Sequence, residues 1–209
     1  MRIIIFFCLV GMTTSCKVST YYFPTIETRG AGGIGEGYAK WYSKCLKELK
    51  EPNLCSMRDD AILTYRFTII PTWGNPISVR AVKLEDQYRL YSRRLNGEGG
   101  YKPGRLVETN DVLLSDMEAN SLDVLIASAN LFAMPTEEVG IIVGTDGEQW
   151  ILEGVSKGKY HVIHRWCAST YKPNERGLSE VLKLCGFLID KSGLSERPKN
   201  LGNEILLSE

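Results

Sequence analysis

The chain has 209 residues, with 25 Lys and Arg against 25 Asp and Glu, 44% hydrophobic and 10% aromatic residues, and six cysteines. That much apolar residue at zero net charge excludes a disordered chain, and 20 Gly with 8 Pro amount to neither a collagen-like nor a low-complexity bias. No run of Lys and Arg supplies the electrostatic footprint of a nucleic-acid binder, and the length fits one or at most two small domains.

At the start, Arg2 precedes an apolar stretch over residues 3–12. It is too short for a hydrocarbon core of about 30 Å but suits the core of a signal peptide, so residues 1–15 are expected to direct export and to be removed. The small residues Thr13 and Ser15 lead into Cys16, the arrangement of a lipidation cysteine, with Thr13 standing where Leu is usual. Acylation of Cys16 leaves residues 16–36 as a tether and holds the protein in the periplasm or cell envelope at a membrane by its lipid chains.

Once Cys8 leaves with the leader and Cys16 carries lipid, Cys45, Cys55, Cys167 and Cys185 remain. An even number in an exported chain predicts two disulfides, and local spacing favours Cys45–Cys55 and Cys167–Cys185. The rival zinc reading lacks any C-x-x-C pair, so no metal is expected, and no cofactor either.

The elements follow in chain order. Gly30-x-Gly32-x-x-Gly35 is formally a dinucleotide fingerprint, but Pro24 stands where that motif needs a buried strand, so a loop is expected. Tyr38, Trp41, Tyr42, Cys45, Leu46 and Leu49 keep the spacing of an amphipathic helix over residues 38–49. Strands are expected at 62–73, 77–84, 88–95 and 106–114, and their short connections imply antiparallel neighbours. Ser115-x-x-Glu118 is a capping box for a second helix, whose Met117, Leu122, Leu125, Ile126, Ala129 and Phe132 share helical spacing.

Three more strands are expected at 139–144, 149–155 and 160–167, joined by Asp146-Gly147 and Lys157-Gly158. Two-residue turns place Val143 opposite Trp150 and Ile141 opposite Leu152, then Trp150 opposite Arg165, Leu152 opposite Ile163 and Ile151 opposite His164. The middle strand is then apolar on both faces, which calls for cover on each side. Asn174 is the expected cap of a third helix whose inward face is Leu178, Val181, Leu182, Cys185, Leu188 and Ile189, closing at Gly193. The reading is an α+β domain over residues 37–193, with a mainly antiparallel sheet of about seven strands and three packed helices, followed by a tail over 194–209.

The two histidines, His161 and His164, have odd spacing along a strand and fall on opposite faces, so they cannot share a metal. His164 lies diagonally from Glu153, which fits either an oriented general base or a self-satisfying buried pair. Trp150 opposite Arg165, with Glu148 diagonal to it, suits a cation–π stack or the frame of an anionic ligand. Gly154-Val-Ser156-Lys-Gly158 matches a nucleophile-elbow pattern but sits at a hairpin turn, not between strand and helix. The pairs Asp59-Asp60 and Glu137-Glu138 are adjacent, so their carboxylates point apart and make no glycosidase dyad.

Asp146-Gly-x-x-Trp150-x-Leu-Glu-Gly154 and Gly158-x-Tyr-His161-x-x-x-Arg165-Trp166, with Gly99-Gly-Tyr-x-Pro-Gly104 and Phe132-x-x-Pro135, resemble a group of exported bacterial proteins of undefined activity, over roughly residues 60–190. The resemblance implies that Trp150, Glu153, His161, Arg165 and Trp166 form a recurring cluster, and these are the expected binding residues. The favoured expectation is a non-enzymatic, lipid-anchored envelope module that binds another protein, for example an immunity or accessory protein. The alternative is an envelope hydrolase using His164 with Glu153, or His161, as general base.

Overall fold

In the computed structural model, residues 21–25, 33–57, 59, 62–140 and 144–198 are described. The leader, residues 16–20 with Cys16, residues 26–32 of the tether and residues 199–209 lie outside them. One antiparallel sheet forms the frame: β1 (Leu63–Pro71), β2 (Ile77–Leu84), β3 (Gln87–Leu95), β4 (Leu106–Leu113), β5 (Glu148–Ser156) and β6 (Lys159–Trp166), in spatial order β4-β3-β2-β1-β5-β6. Helix α1 (Glu36–Glu48) packs on one face, and α2 (Asp116–Ala129) and α3 (Ser179–Asp190) pack on the other. This is the expected α+β architecture with three helices, built on six strands.

The strand expected at 139–144 has no place beside β5, for a topological reason. β5 has β1 on one side and β6 on the other, so Trp150 faces Ile69 and Leu152 faces Phe67 where Val143 and Ile141 were expected. Val139, Gly140 and Gly144 belong to no strand, and residues 141–143 lie outside the described ones. An Asp-Gly turn favours a local hairpin, but a central strand gains more by pairing along its whole length with the equally apolar β1. The β5–β6 register holds as read, with Trp150 opposite Arg165, Leu152 opposite Ile163 and Ile151 opposite His164.

Both faces of β5 are covered, as its two-sided apolar pattern requires. Tyr65, Phe67, Ile69, Trp150, Leu152 and Ile163 meet Leu122, Val181, Cys185 and Leu188 of α2 and α3. Ile70, Leu95, Ile151 and Val162 meet Tyr42, Cys45, Leu46 and Leu49 on the α1 side. Each such side chain contributes about 1.5–3 kcal/mol of burial, which places the stability in two cores divided by the sheet.

The disulfide expectation is overturned: no disulfide joins Cys45, Cys55, Cys167 or Cys185. Cys45 Sγ is turned toward the Gly99 carbonyl at 3.9 Å, Cys167 Sγ lies against Gly147, and Cys185 is buried in the core under α3. Burial pushes the Cys45 thiol up to about 12 and raises that of Cys185 as well, so both behave as small apolar side chains. Cys167 follows β6 with φ of 44° and turns the chain there.

Two helix details also differ. α2 begins at the expected capping box, with Glu118 N–H donating to Ser115 Oγ and Ser115 N–H donating to Glu118 Oε2. Its buried face is Ala119, Leu122 and Ala129, however, which leaves Met117 79% exposed. Before α3, turns through Lys172 and Gly177 at positive φ delay the helix to Ser179; its cap is Leu178, while the Asn174 side chain accepts from the Ser179 hydroxyl and its carbonyl from the Gly177 N–H.

Candidate functional site

Each of the five expected binding residues makes a contact within the fold. Glu153 is fully buried and does not meet His164, because Arg66 of β1 stands directly opposite it and takes the carboxylate. Arg66 Nε donates to Glu153 Oε2 at 2.7 Å and Nη2 lies 2.6 Å from the same atom, while the Tyr160 hydroxyl donates to Oε1 at 2.9 Å. Arg66 Nη1 also donates to the Pro52 carbonyl at 2.7 Å, and Glu51 receives Arg80 Nε at 2.9 Å and Ser78 Oγ at 3.0 Å. The cluster pins the chain leaving α1 to the sheet. Burial pushes the Glu153 carboxyl up and the Arg66 guanidinium opposes it.

Trp150 is buried against Phe67, with ring centroids 5.0 Å apart, and its indole N–H donates to Glu148 Oε1 at 2.7 Å. The expected stack with Arg165 does not form. Arg165 instead donates to the carbonyls of Pro135 at 2.7 Å and Thr136 at 2.9 Å, and His161 Nε2 lies 2.8 Å from the Met134 carbonyl. The backbone N–H of His164 donates to the Thr136 carbonyl, so residues 134–136 run along the outer edge of β6. Trp166, half-buried, donates from its indole N–H to the Asp146 carbonyl and packs over Gly144.

His164 does find a carboxylate, but a different one. Its Nε2 is 3.2 Å from Glu137 Oε1, off the ring N–H axis, and its Nδ1 is 3.2 Å from the Tyr42 hydroxyl, which donates to Gln149 Oε1 at 3.0 Å. Glu137 also accepts the Gly35 N–H at the start of α1. Burial pulls the His164 pKa below its usual value, against Glu137. The adjacent Glu138 points to Arg176 instead, so the two carboxylates diverge as their adjacency requires. With Glu153 held by Arg66 and His164 beside Glu137, the His164–Glu153 pair of the alternative hydrolase reading is not assembled.

A different site lies at the end of the sheet where the β1–β2 turn, the β3–β4 loop, the start of β5 and residues 196–198 meet. A cleft of about 310 Å³ there is lined by Trp73, Asn75, Arg94, Glu148, Glu196 and Arg197, among others. At its mouth Trp73, 63% exposed, stands 4.7 Å from the ring of Tyr101, 55% exposed. The support beneath this pair is tight. Gly99 N–H donates to the Gly74 carbonyl and Gly100 N–H to the Thr72 carbonyl, while Thr72 N–H donates to the Gly147 carbonyl at 2.7 Å. A Cβ on Gly99 would lie 2.6 Å from Ile70 Cγ2 and from the Pro71 carbonyl, so only glycine allows this approach. From the other side the Trp41 indole donates to the Gly99 carbonyl at 2.7 Å.

The chemistry inside is polar and two-signed. Arg94 Nε donates to Glu108 at 2.8 Å and its Nη1 reaches Glu196 at 3.2 Å, while Glu148 is anchored by Trp150 and by Ser169 Oγ at 3.3 Å. Trp150 thus serves this cleft from behind, by orienting Glu148. Exposed aromatic surface, guanidinium, carboxylate and the Asn75 amide together suit recognition of a polar and aromatic partner surface. The sequence carried both pieces, the turn after Trp73 and Gly99-Gly-Tyr-x-Pro-Gly104, but nothing local in it joins them. Among the described residues, no group of three or more His, Cys, Asp or Glu is placed to hold a metal ion, and no helix is long and apolar enough to cross a membrane.

No protein-family model matches the chain, and no curated protein matches it.

Proposed function

We propose that this is an exported cell-envelope protein, lipid-anchored through Cys16, that works by binding another protein through the Trp73–Tyr101 platform and the cleft beside it. One concrete form is an immunity or accessory protein that blocks an enzyme or toxin in the periplasm. The observation that carries the reading is the closely packed, tilted and more than half exposed aromatic pair on a support too tight to collapse. Trp, Tyr and Arg dominate the energetics of protein interfaces, and a rigid aromatic platform loses little entropy on binding. Export rests on the leader pattern and on Cys16 after Thr13 and Ser15.

Capture of partners from envelope extracts by the mature protein tests the reading. A stoichiometric protein should be recovered, and Trp73→Ala should weaken its capture by about tenfold or more, a loss of at least about 1.4 kcal/mol. Recovery of no protein partner, or equal capture by the variant, removes the proposal.

A further inference from the structure

The two edges of the sheet are treated differently. The outer edge of β6 is sealed by residues 134–136, through the His164 N–H to Thr136 carbonyl bond and the Arg165 contacts. β4, the opposite edge, pairs only with β3 among the described residues. Its sequence, Leu106-Val-Glu-Thr-Asn-Asp-Val-Leu113, contains no Lys and no Pro, the residues that commonly blunt an exposed edge.

The ladder phase shows which groups are open. Leu114 N–H donates to the Tyr88 carbonyl, which makes the even-numbered residues of β4 the ones bonded to β3. The N–H and C=O groups of Val107, Thr109, Asp111 and Leu113 therefore point outward. These odd residues also share one face, and its large apolar members are Val107, 45% exposed, and Leu113, 49% exposed, three residues either side of Asn110.

We propose that β4 pairs antiparallel with β4 of a second copy of this chain, about a two-fold axis through Asn110, joining two six-stranded sheets into one. Only a register in which same-parity residues face each other keeps both faces of the joined sheet continuous. Centred on Asn110, it sets Val107 opposite Leu113 of the second copy and Thr109 opposite Asp111, and repeats both pairs by symmetry. Every outward group is then used, for about eight hydrogen bonds, with the two Asn110 residues facing each other as a non-bonded pair. The apolar side chains cover one another across the axis. Asp111 meets a threonine, not its own copy, and Arg89 already neutralises it at 2.8 Å. Such an isologous contact closes on itself and leaves no strand for further growth. A second copy is the occupant because the pattern is self-complementary about one residue. The surface is separate from the Trp73–Tyr101 platform and stands whether or not that proposal does.

Asn110→Cys in the full chain tests the pairing. Facing residues of a non-bonded antiparallel pair have Cβ atoms about 4.5–5.5 Å apart, within reach of a disulfide after small adjustment, whereas diagonal neighbours lie near 7–8 Å. Under mild oxidation Asn110→Cys should give a covalent homodimer on a non-reducing gel, with little or none from Asp111→Cys. Adding Thr109→Pro, which removes an outward N–H and spares the ladder to β3, should abolish the cross-link. Val107→Lys, which changes only an exposed side chain, should do the same. The proposal is overturned if folded Asn110→Cys stays monomeric, if Asp111→Cys cross-links equally well, if neither added change reduces the dimer, or if the cross-linked product contains a different protein.

Discussion

Arg66 is among the largest fully buried side chains of the protein, and its charge is tolerated because Glu153, Glu51 and the Pro52 carbonyl all meet it. A buried pair of this kind need not stabilise relative to apolar residues, but removing one member strands the other. Glu153→Gln should therefore lower unfolding stability by about 3–5 kcal/mol in urea titration. A loss below about 1 kcal/mol would show the cluster to be more hydrated than its burial implies. His164 supplies a pH dependence. Its folded pKa is depressed by burial, so the folded state binds fewer protons than the unfolded one just below the unfolded value of about 6.5. Its contribution is present above that pH and is lost as pH falls toward the folded pKa. The urea midpoint of the wild type should drop between about pH 7.5 and 5.5 more steeply than that of His164→Gln. Parallel curves would refute the assignment. The groups that set this titration are Glu137, Glu138, the neighbouring Arg165 and the Tyr42 hydroxyl, brought from three separate parts of the chain.

At the scale of elements, the β3–β4 loop shows how a glycine-rich segment becomes a rigid support. Gly99 and Gly100 lie against Ile70, Pro71 and Thr72, and the indole of Trp41 holds the loop from α1. Gly99→Ala forces its methyl into the Pro71 carbonyl and Ile70, so either the loop or the β1–β2 turn must shift. A destabilisation of about 1–3 kcal/mol is expected, together with loss of partner capture, because Tyr101 can no longer stay beside Trp73. Unchanged melting and capture would mean that the loop moves freely. Elements whose signal is local were legible in advance: β2 spans the expected residues, α2 begins at its capping box, and the Lys157-Gly158 turn sets the β5–β6 register. Elements that depend on partners were not. The strand expected at 139–144 lost its place because β1 occupies that side of β5. The inward face of α2 turned away from Met117 because α3 and the sheet meet it from another direction.

For the whole molecule, alternation and helical periodicity in the sequence determined the α+β class, the antiparallel neighbours, the two-sided burial of β5 and the placing of the two histidines on opposite faces. Those properties depend on residues a few positions apart, which backbone geometry relates directly. The tertiary structure decided which distant strands pair and therefore which charge meets which. Glu153 went to Arg66 and His164 to Glu137, and Cys45 and Cys185 were buried in separate cores. It also decided that Trp73 and Tyr101, far apart in the chain, should stand side by side at the mouth of a cleft. Pairing energy is summed over whole strands, so no short window of sequence can report it. A carboxylate buried by that pairing must then take whichever cation the neighbouring strand presents, because leaving it alone there costs several kcal/mol.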